Sequence, residues 1–198
     1  MATTLKRNGI TSHVTIIAKA KVPILKFVSN HGRLQVDISI NQANGLISGK
    51  IIAGFLNQMI PCAKEKESKA LRSLIMITKA FLSQRKLNEV YTGGLGSYSV
   101  VCLAVSFLQM HPKIRRGEID PEKNLGVLVV EFFELYGNRF NYDNVGISLR
   151  EGGTYFNKRE RGWNVDYKKN LLSIEDPADP CEFVSFIRFG FTTFLNSQ

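Results

Sequence analysis

Two segments of the sequence carry side chains of the kind that bind metal ions and phosphates. Residues 34–40 alternate apolar and polar side chains, the pattern of a half-buried β-strand, and place Asp37 on the polar face. Residues 93–99 (Gly-Gly-Leu-Gly-Ser-Tyr-Ser) form a glycine-rich turn that brings Ser97 and Tyr98 to the start of an apolar helix. Carboxylates bind Mg²⁺, and the N–H groups of a helix N-terminus attract phosphate. Together the segments predict one metal ligand and one nucleotide cradle, half of a nucleotidyl-transfer site.

Each of these features also has a purely structural explanation. A lone carboxylate on a polar strand face is usually a surface residue, and a glycine turn before a helix is usually a tight connection, here with Ser97 as the N-cap. Phosphoryl transfer by two metal ions, about 3.5–4 Å apart, requires several converging carboxylates, which Asp37 alone does not supply. The turn lacks the Gly-Lys-Ser/Thr ending of a P-loop, and no βαβ unit surrounds it as in a dinucleotide site.

The elements that position these residues follow from the hydrophobic periodicity. Three runs rich in Val and Ile predict an antiparallel meander of strands: residues 13–18, 22–28 and 34–40. In the last run, the side chains predicted to face the core are Leu34, Val36, Ile38 and Ile40. The polar face, which includes Asp37, is therefore left for solvent or for a site.

After residue 40 the apolar residues recur with the period of an α-helix. Asn44-Gly45 opens a segment with an apolar residue at every fourth position, and three further helices are predicted at residues 69–85, 97–110 and 125–136, the last closed by Gly137. On the second of these four helices, Arg72, Lys79 and Lys86 are seven residues apart and predict one basic stripe. A solvated face is the default interpretation, but Lys79 is long enough to contact a triphosphate.

The last third of the chain contains turn signals. Residues 145–149 and 154–157 flank an Arg-Glu-Gly-Gly turn and predict a β-hairpin, whereas residues 174–180 (Ile-Glu-Asp-Pro-Ala-Asp-Pro) predict a rigid acidic turn. The predicted fold class is therefore α+β, with a small sheet packed beside a mostly helical body.

Composition narrows the functional classes. The 198 residues carry a formal net charge of +9, which favours RNA or DNA as a partner, although lysine-driven solubility would give the same number. No apolar run reaches the ~18–20 residues that span a bilayer, so no membrane segment is expected. Cys62, Cys102 and Cys181 are far apart and lack metal-ligand spacing, as in proteins of reducing compartments.

Several longer motifs, in order along the chain, carry a specific resemblance. They are Val36-Asp37-Ile38-Ser39, Asn44-Gly45, residues 81–88, residues 91–98, residues 106–112 and the stretch 124–140 around Glu131-Phe132-Phe133-Glu134-Leu135-Tyr136-Gly137. Over residues 1–180 the chain resembles the non-canonical poly(A) polymerases of the nuclear RNA-surveillance (TRAMP) type, within the DNA-polymerase-β-like nucleotidyltransferase superfamily. The resemblance implies a partial nucleotidyltransferase palm at 1–42 and a helical central domain at 43–180. Within the latter, about 124–180 is the poly(A)-polymerase-associated region, and 181–198 is a divergent tail.

The resemblance also implies an activity and a set of site residues. The activity is template-independent transfer of AMP from ATP to RNA 3′ ends, with Mg²⁺ or Mn²⁺ in a two-metal mechanism. Asp37 matches a catalytic Asp that binds the metal, and Asn44 matches an Asn near the nucleotide sugar. The remaining matches are Lys79 and Ser97 at the triphosphate and Tyr98 stacked on the base.

Two departures from the family pattern define the alternatives. Family members carry a Gly-Ser helix and an Asp-x-Asp strand ahead of the segment that starts here at Met1, and neither occurs in this sequence. At the other end, residues 181–198 replace a base-reading loop. We therefore expect a fragment of the enzyme or, alternatively, a catalytically silent module that binds nucleotide, RNA or a partner. The partners implied by the resemblance are ATP, RNA 3′ ends, a zinc-knuckle RNA-binding protein and an exosome-linked helicase, in the nucleus.

Overall fold

The chain folds into two compact units that mix helices with small sheets. The computed structural model describes residues 1–19, 23–40, 44–58, 68–88, 90, 93–163, 171–177 and 183–186. The units are Met1–Ile47 and Ser48–Gln198. These elements confirm the α+β prediction. The predicted domain limits, one of which falls at residues 41–43 outside the described part, stay a prediction.

The first unit is the predicted antiparallel meander. Its elements are α1 (Ala2–Arg7), β1 (Val14–Ile17), β2 (Ile24–Val28) and β3 (Gln35–Ser39), with strand order β1-β2-β3. The register places Lys26 of β2 between Thr15 and Asp37, so these three side chains share one face of the sheet. Asp37 is exposed on that face, as the alternation predicts.

The apolar face of this sheet is shorter than predicted. Phe27 is buried, and Val36 and Ile38 are half-buried on the same face. Leu34 and Ile40, in contrast, are 65% and 55% exposed because β3 ends before it reaches them. Their assignment to the core was therefore wrong.

In its described residues, the second unit combines five α-helices with a second sheet. These elements are α2 (Asn44–Gln58, of which residues 44–47 are assigned to the first unit), α3 (Lys69–Gln84), α4 (Ser97–Met110), α5 (Pro112–Arg115), α6 (Leu125–Glu134), β4 (Val145–Ser148), β5 (Thr154–Asn157), β6 (Leu172–Glu175) and β7 (Phe183–Phe186). The strand order is β5-β4-β6-β7. β4 and β6 are parallel, and the other neighbours are antiparallel.

Helix α4 is the centre of the second unit. Every residue from Ser99 to Leu108 is buried, so the helix has no solvent face along this stretch. It belongs to one apolar cluster with Leu74 of α3, Phe132 of α6 and Ile174 of β6. Because α4 is enclosed by other elements, the position of its first turn is fixed by the core.

Two predictions about element ends are corrected. α3 ends at Gln84, and Lys86 lies beyond it with a left-handed φ of 57°, so Lys86 is not on the helical stripe of Arg72 and Lys79. The helix after residue 125 does not close at Gly137, because a π-helical turn (Leu135–Arg139) continues it. Among the helices that the structure describes, none has the length and apolarity needed to cross a bilayer.

One further prediction fails at the second sheet. Ile174 and Glu175 were expected to open an acidic turn, but they form the end of β6. Pairing of β6 with β4, which is distant in sequence, overrides the local turn signal. Within the predicted tail, Phe183–Phe186 pairs with β6 as strand β7, and the limits of that tail stay a prediction.

Candidate functional site

The glycine turn holds the start of α4 close to the end of α3. The Leu95 N–H donates to the Leu87 carbonyl at 2.8 Å, and Gly93 adopts a left-handed φ of 88° that favours glycine. Gly96 is the N-cap, and a β-carbon there would lie 3.0 Å from Cγ2 of Val90. Ser97 is thus the first residue of the helix, and the prediction that it is the N-cap was wrong.

A cleft of about 320 Å³ lies between α3 and the start of α4. Its lining residues are Met76, Lys79, Ala80, Leu82, Ser83, Asn88, Leu95, Ser97 and Val100. Lys79 and Ser97, both exposed and both predicted to contact the triphosphate, therefore face the same space. The first N–H groups of a helix have no partner within it, and they add donors beside the Ser97 hydroxyl. This combination of one cation, hydroxyls and helix N–H groups is suited to phosphate.

Tyr98 lies next to this cleft in sequence but is not among its lining residues. The phenol is half-buried, and its hydroxyl donates to Oδ1 of Asp176 at 3.0 Å. The Ser48 side chain makes a second hydrogen bond to the same hydroxyl. Burial first, and then the nearby Cys102 and Asp176, raise the pKa of Tyr98 far above its ordinary value, so the phenol is neutral at all physiological pH values.

Sequence reasoning missed Ser48 and Asp176. Asp176 is 78 residues from Tyr98, and Ser48 is on a different helix, so no local spacing connects them. The only sequence signal was the Glu-Asp-Pro stretch, which was interpreted as a turn.

The end of β6 is anchored by charge pairs next to Asp176. Glu175 is 6% exposed, and its Oε1 lies 3.1 Å from Nη1 of Arg161 and 3.9 Å from Nε of Arg150. Burial opposes ionisation of Glu175, but Ser148 and the two arginines outweigh it and hold its pKa below the ordinary value. The Arg161 guanidinium also lies over the ring of Phe156, 4.0 Å from its centroid.

Asp37 and Asn44 belong to the first unit. Asp37 faces Lys26 across the strand pair, with Oδ2 and Nζ 3.6 Å apart, and Asn44 begins α2. In the part of the chain that the structure describes, no three His, Cys, Asp or Glu side chains are grouped so that they could hold a metal ion. The described residues thus supply one possible ligand for a divalent ion and not a complete metal site. The roles predicted for Asp37 and Asn44 stay predictions.

Comparison with known proteins gives consistent matches. The family profile described as "Cid1 family poly A polymerase" matches residues 124–181, and "Poly(A) RNA polymerase, mitochondrial-like, central palm domain" matches residues 1–57. The chain is 54% identical over 193 residues to Poly(A) RNA polymerase CID14 of Cryptococcus neoformans. Over these residues the chain is homologous to poly(A) RNA polymerases. The similarity covers 98% of this chain and 24% of that relative.

Two further matches agree with this assignment. Poly(A) RNA polymerase cid14 of Schizosaccharomyces pombe is 47% identical over 175 residues, which are 88% of this chain and 24% of the relative. The solved structure of the polymerase core of TRAMP, described as an RNA surveillance complex, matches with 39% identity and a TM-score of 0.81, over 98% of this chain and 58% of that one. The chain thus spans about a quarter of the length of these curated relatives, and the resemblance drawn from its motifs is confirmed.

Proposed function

We propose that this chain forms the ATP-binding part of a template-independent RNA 3′-adenylyltransferase. The observation that supports the proposal most directly is the cleft between α3 and the start of α4, which Lys79 and Ser97 both line. Similarity to poly(A) RNA polymerases supports the proposed reaction, and the cleft is the proposed place for the triphosphate. The formal net charge of +9 suits an RNA substrate, because a basic surface attracts the phosphate backbone.

Each side chain has a defined task in this proposal. The Lys79 ammonium is a point charge for the triphosphate, and the Ser97 hydroxyl with the first N–H groups of α4 donates hydrogen bonds to it. Tyr98 presents an aromatic ring for the adenine, since every base has a π-face on which such a ring stacks. Asn44 is proposed to contact the sugar.

Transfer of AMP in this reaction class uses divalent ions, Mg²⁺ or Mn²⁺, to activate the attacking 3′-hydroxyl and to stabilise the leaving pyrophosphate. Asp37 is the proposed ligand from this chain. Because the described residues supply no complete metal site, ATP binding is the step that they can account for. We further propose action in nuclear RNA surveillance, together with a zinc-knuckle RNA-binding protein and an exosome-linked helicase.

The single carboxylate favours a second candidate function. A chain that holds ATP and RNA but has one metal ligand would act as a silent binding module. It would differ from an active enzyme in one measurable respect, which is binding of ATP without extension of RNA.

The first experiment tests the cleft. ATP and inorganic tripolyphosphate are titrated into the 198-residue chain by calorimetry, and the titrations are repeated with Lys79→Ala and Ser97→Ala. Loss of a hydrogen bond to the charged phosphates should weaken binding of both ligands by about tenfold in each variant. Lys123→Ala is the matched control, because Lys123 is 81% exposed and does not line the cleft. Unchanged affinity in both cleft variants would refute the proposed site.

The second experiment separates the two candidate functions. An oligo(A) primer is incubated with ATP and Mg²⁺ or Mn²⁺, and its extension is compared between the native chain and Asp37→Asn. Extension that Asp37→Asn abolishes would show an active enzyme and a metal site completed by residues other than those described. ATP binding without extension would show the silent module.

A further inference from the structure

Hydrogen bonds at the Tyr98 hydroxyl connect side chains from three elements of the second unit. Tyr98 itself is in the first turn of α4, Asp176 follows the last residue of β6, and Ser48 is on α2. The hydroxyl donates to Asp176 and receives a hydrogen bond from Ser48, so its donor and acceptor capacities are both used. An ordinary surface tyrosine does not need hydrogen bonds from two other elements at its hydroxyl.

At the end of β6, the side chains on opposite faces of the sheet contact different partners. Side chains alternate across a strand, so Glu175 faces one side of the sheet and Ile174 and Asp176 face the other. Ile174 is fully buried in the core that surrounds α4. Glu175, held by Arg161 and Arg150 on the opposite side, fixes the strand end from which Asp176 reaches Tyr98.

The orientation of the ring matters for stacking. The ring must present a face to the base, and the hydroxyl constrains the ring in two ways. Fixing the position of the hydroxyl oxygen limits the first side-chain torsion, and because a phenolic O–H prefers the plane of its ring, fixed hydrogen-bond directions favour one ring plane about the second torsion. We propose that Asp176 is a positioning residue that holds the Tyr98 ring in the orientation required to stack on the base of the bound nucleotide. This inference rests on the proposed ATP site and adds a residue to it that acts through Tyr98.

A positioning role differs measurably from a purely structural one. If Asp176 orients the ring, its loss weakens binding of the base but leaves binding of the triphosphate intact. If Asp176 only stabilises the fold, its loss lowers the melting temperature and affects both parts of the nucleotide alike. If it contacts the base directly, its effect does not depend on the Tyr98 hydroxyl.

The experiment compares ATP with inorganic tripolyphosphate. Asp176→Ala should bind ATP about three- to tenfold more weakly, the effect of one hydrogen bond, and should bind tripolyphosphate as the native chain does. Asp176→Asn keeps a side-chain oxygen acceptor and should recover most of the ATP affinity. In the Tyr98→Phe background, Asp176→Ala should cause no further loss, because the bond that it breaks is already absent. Glu160→Gln, an exposed carboxylate-to-amide change, is the control.

Several outcomes would overturn the inference. They are an Asp176→Ala variant with native ATP affinity, an equal loss for ATP and tripolyphosphate, and an undiminished effect of Asp176→Ala in Tyr98→Phe. Should Asp176→Ala not fold, the comparison of Asp176→Asn with Tyr98→Phe decides, since only the latter should lose ATP affinity. Failure of the native chain to bind either ligand would instead refute the proposed function, and the inference with it.

Discussion

Replacement of Gly146 by alanine is expected to destabilise the second unit markedly. Gly146 on β4 lies opposite Phe156 on β5, and the Phe156 ring covers it. A β-carbon at position 146 would stand 2.4 Å from Cε2 and Cζ of that ring, whereas ordinary van der Waals contact begins near 3.4 Å. The half-buried ring would therefore have to retreat by about 1 Å.

The expected loss of folding free energy follows from the contacts of the Phe156 ring. Overpacking a core costs about 1–3 kcal/mol. Retreat of the ring also weakens its contact with the Arg161 guanidinium, 4.0 Å from the centroid, and its edge contact with Trp163, 5.1 Å between centroids. Such contacts contribute roughly 0.5–1.5 kcal/mol each. A total loss of about 2–4 kcal/mol lowers the melting temperature of a chain of this size by roughly 5–15 °C.

The assay uses a fluorescent residue that contacts the Phe156 ring. Trp163 is the only tryptophan in the sequence, so thermal unfolding followed by its fluorescence reports on the cluster itself. Gly126→Ala is the matched control, because Gly126 is exposed on α6 with open space around it, and alanine there should be neutral or stabilising. Adding Phe156→Leu to Gly146→Ala should recover part of the loss. A Gly146→Ala variant that melts within 1 °C of the native chain would refute the reasoning.

Three further predictions concern single side chains. Ser68→Ala should cost about 1 kcal/mol in urea unfolding, because the Ser68 hydroxyl caps α3 by accepting from the Leu71 N–H at 3.1 Å, and Ser68→Thr should largely preserve stability. Tyr136→Phe should also cost about 1 kcal/mol, since it leaves the buried Leu103 carbonyl without its hydroxyl donor at 3.2 Å; a neutral result would contradict this. Burial lowers the pKa of Lys158 from 10.5 to about 8, so the unfolded chain binds more protons than the folded one between these values and stability contributed by Lys158 rises with pH. Relative to Lys158→Met, the native chain should gain at most about 2 kcal/mol between pH 7.5 and 9.5, and a constant difference would disprove it.

The elements that position the site were predictable where local signals are strong. Alternation along β3 placed Asp37 on the exposed face, and Gly96 and Pro112 marked the two ends of α4. In each case the decisive information lies within a few residues, in side-chain period or in turn chemistry. Lys79 and Ser97 were predicted from the basic stripe, the glycine turn and the family motifs; both line one cleft, and their role at a triphosphate stays a prediction.

The predictions that failed depended on distant partners. β6 joins β4 in parallel and β7 in antiparallel pairing, so its strand state follows from neighbours that no short window contains. The Asp176–Tyr98 bond spans 78 residues for the same reason. The error at Lys86 was different, because a helix pattern does not reveal that the backbone turns left-handed two residues after Gln84.

The enclosure of α4 has a consequence for how this molecule is made. A helix buried on all sides has no amphipathic half-docked state, so it cannot settle against α3 alone as an ordinary surface helix does. The strands that help to cover it, β4 and β6, begin 35 and 62 residues after the last residue of α4 and are therefore synthesised after it. Until these strands have been synthesised, the nascent chain exposes part of the apolar surface of α4. Exposed apolar surface of this kind is recognised by chaperones and promotes aggregation.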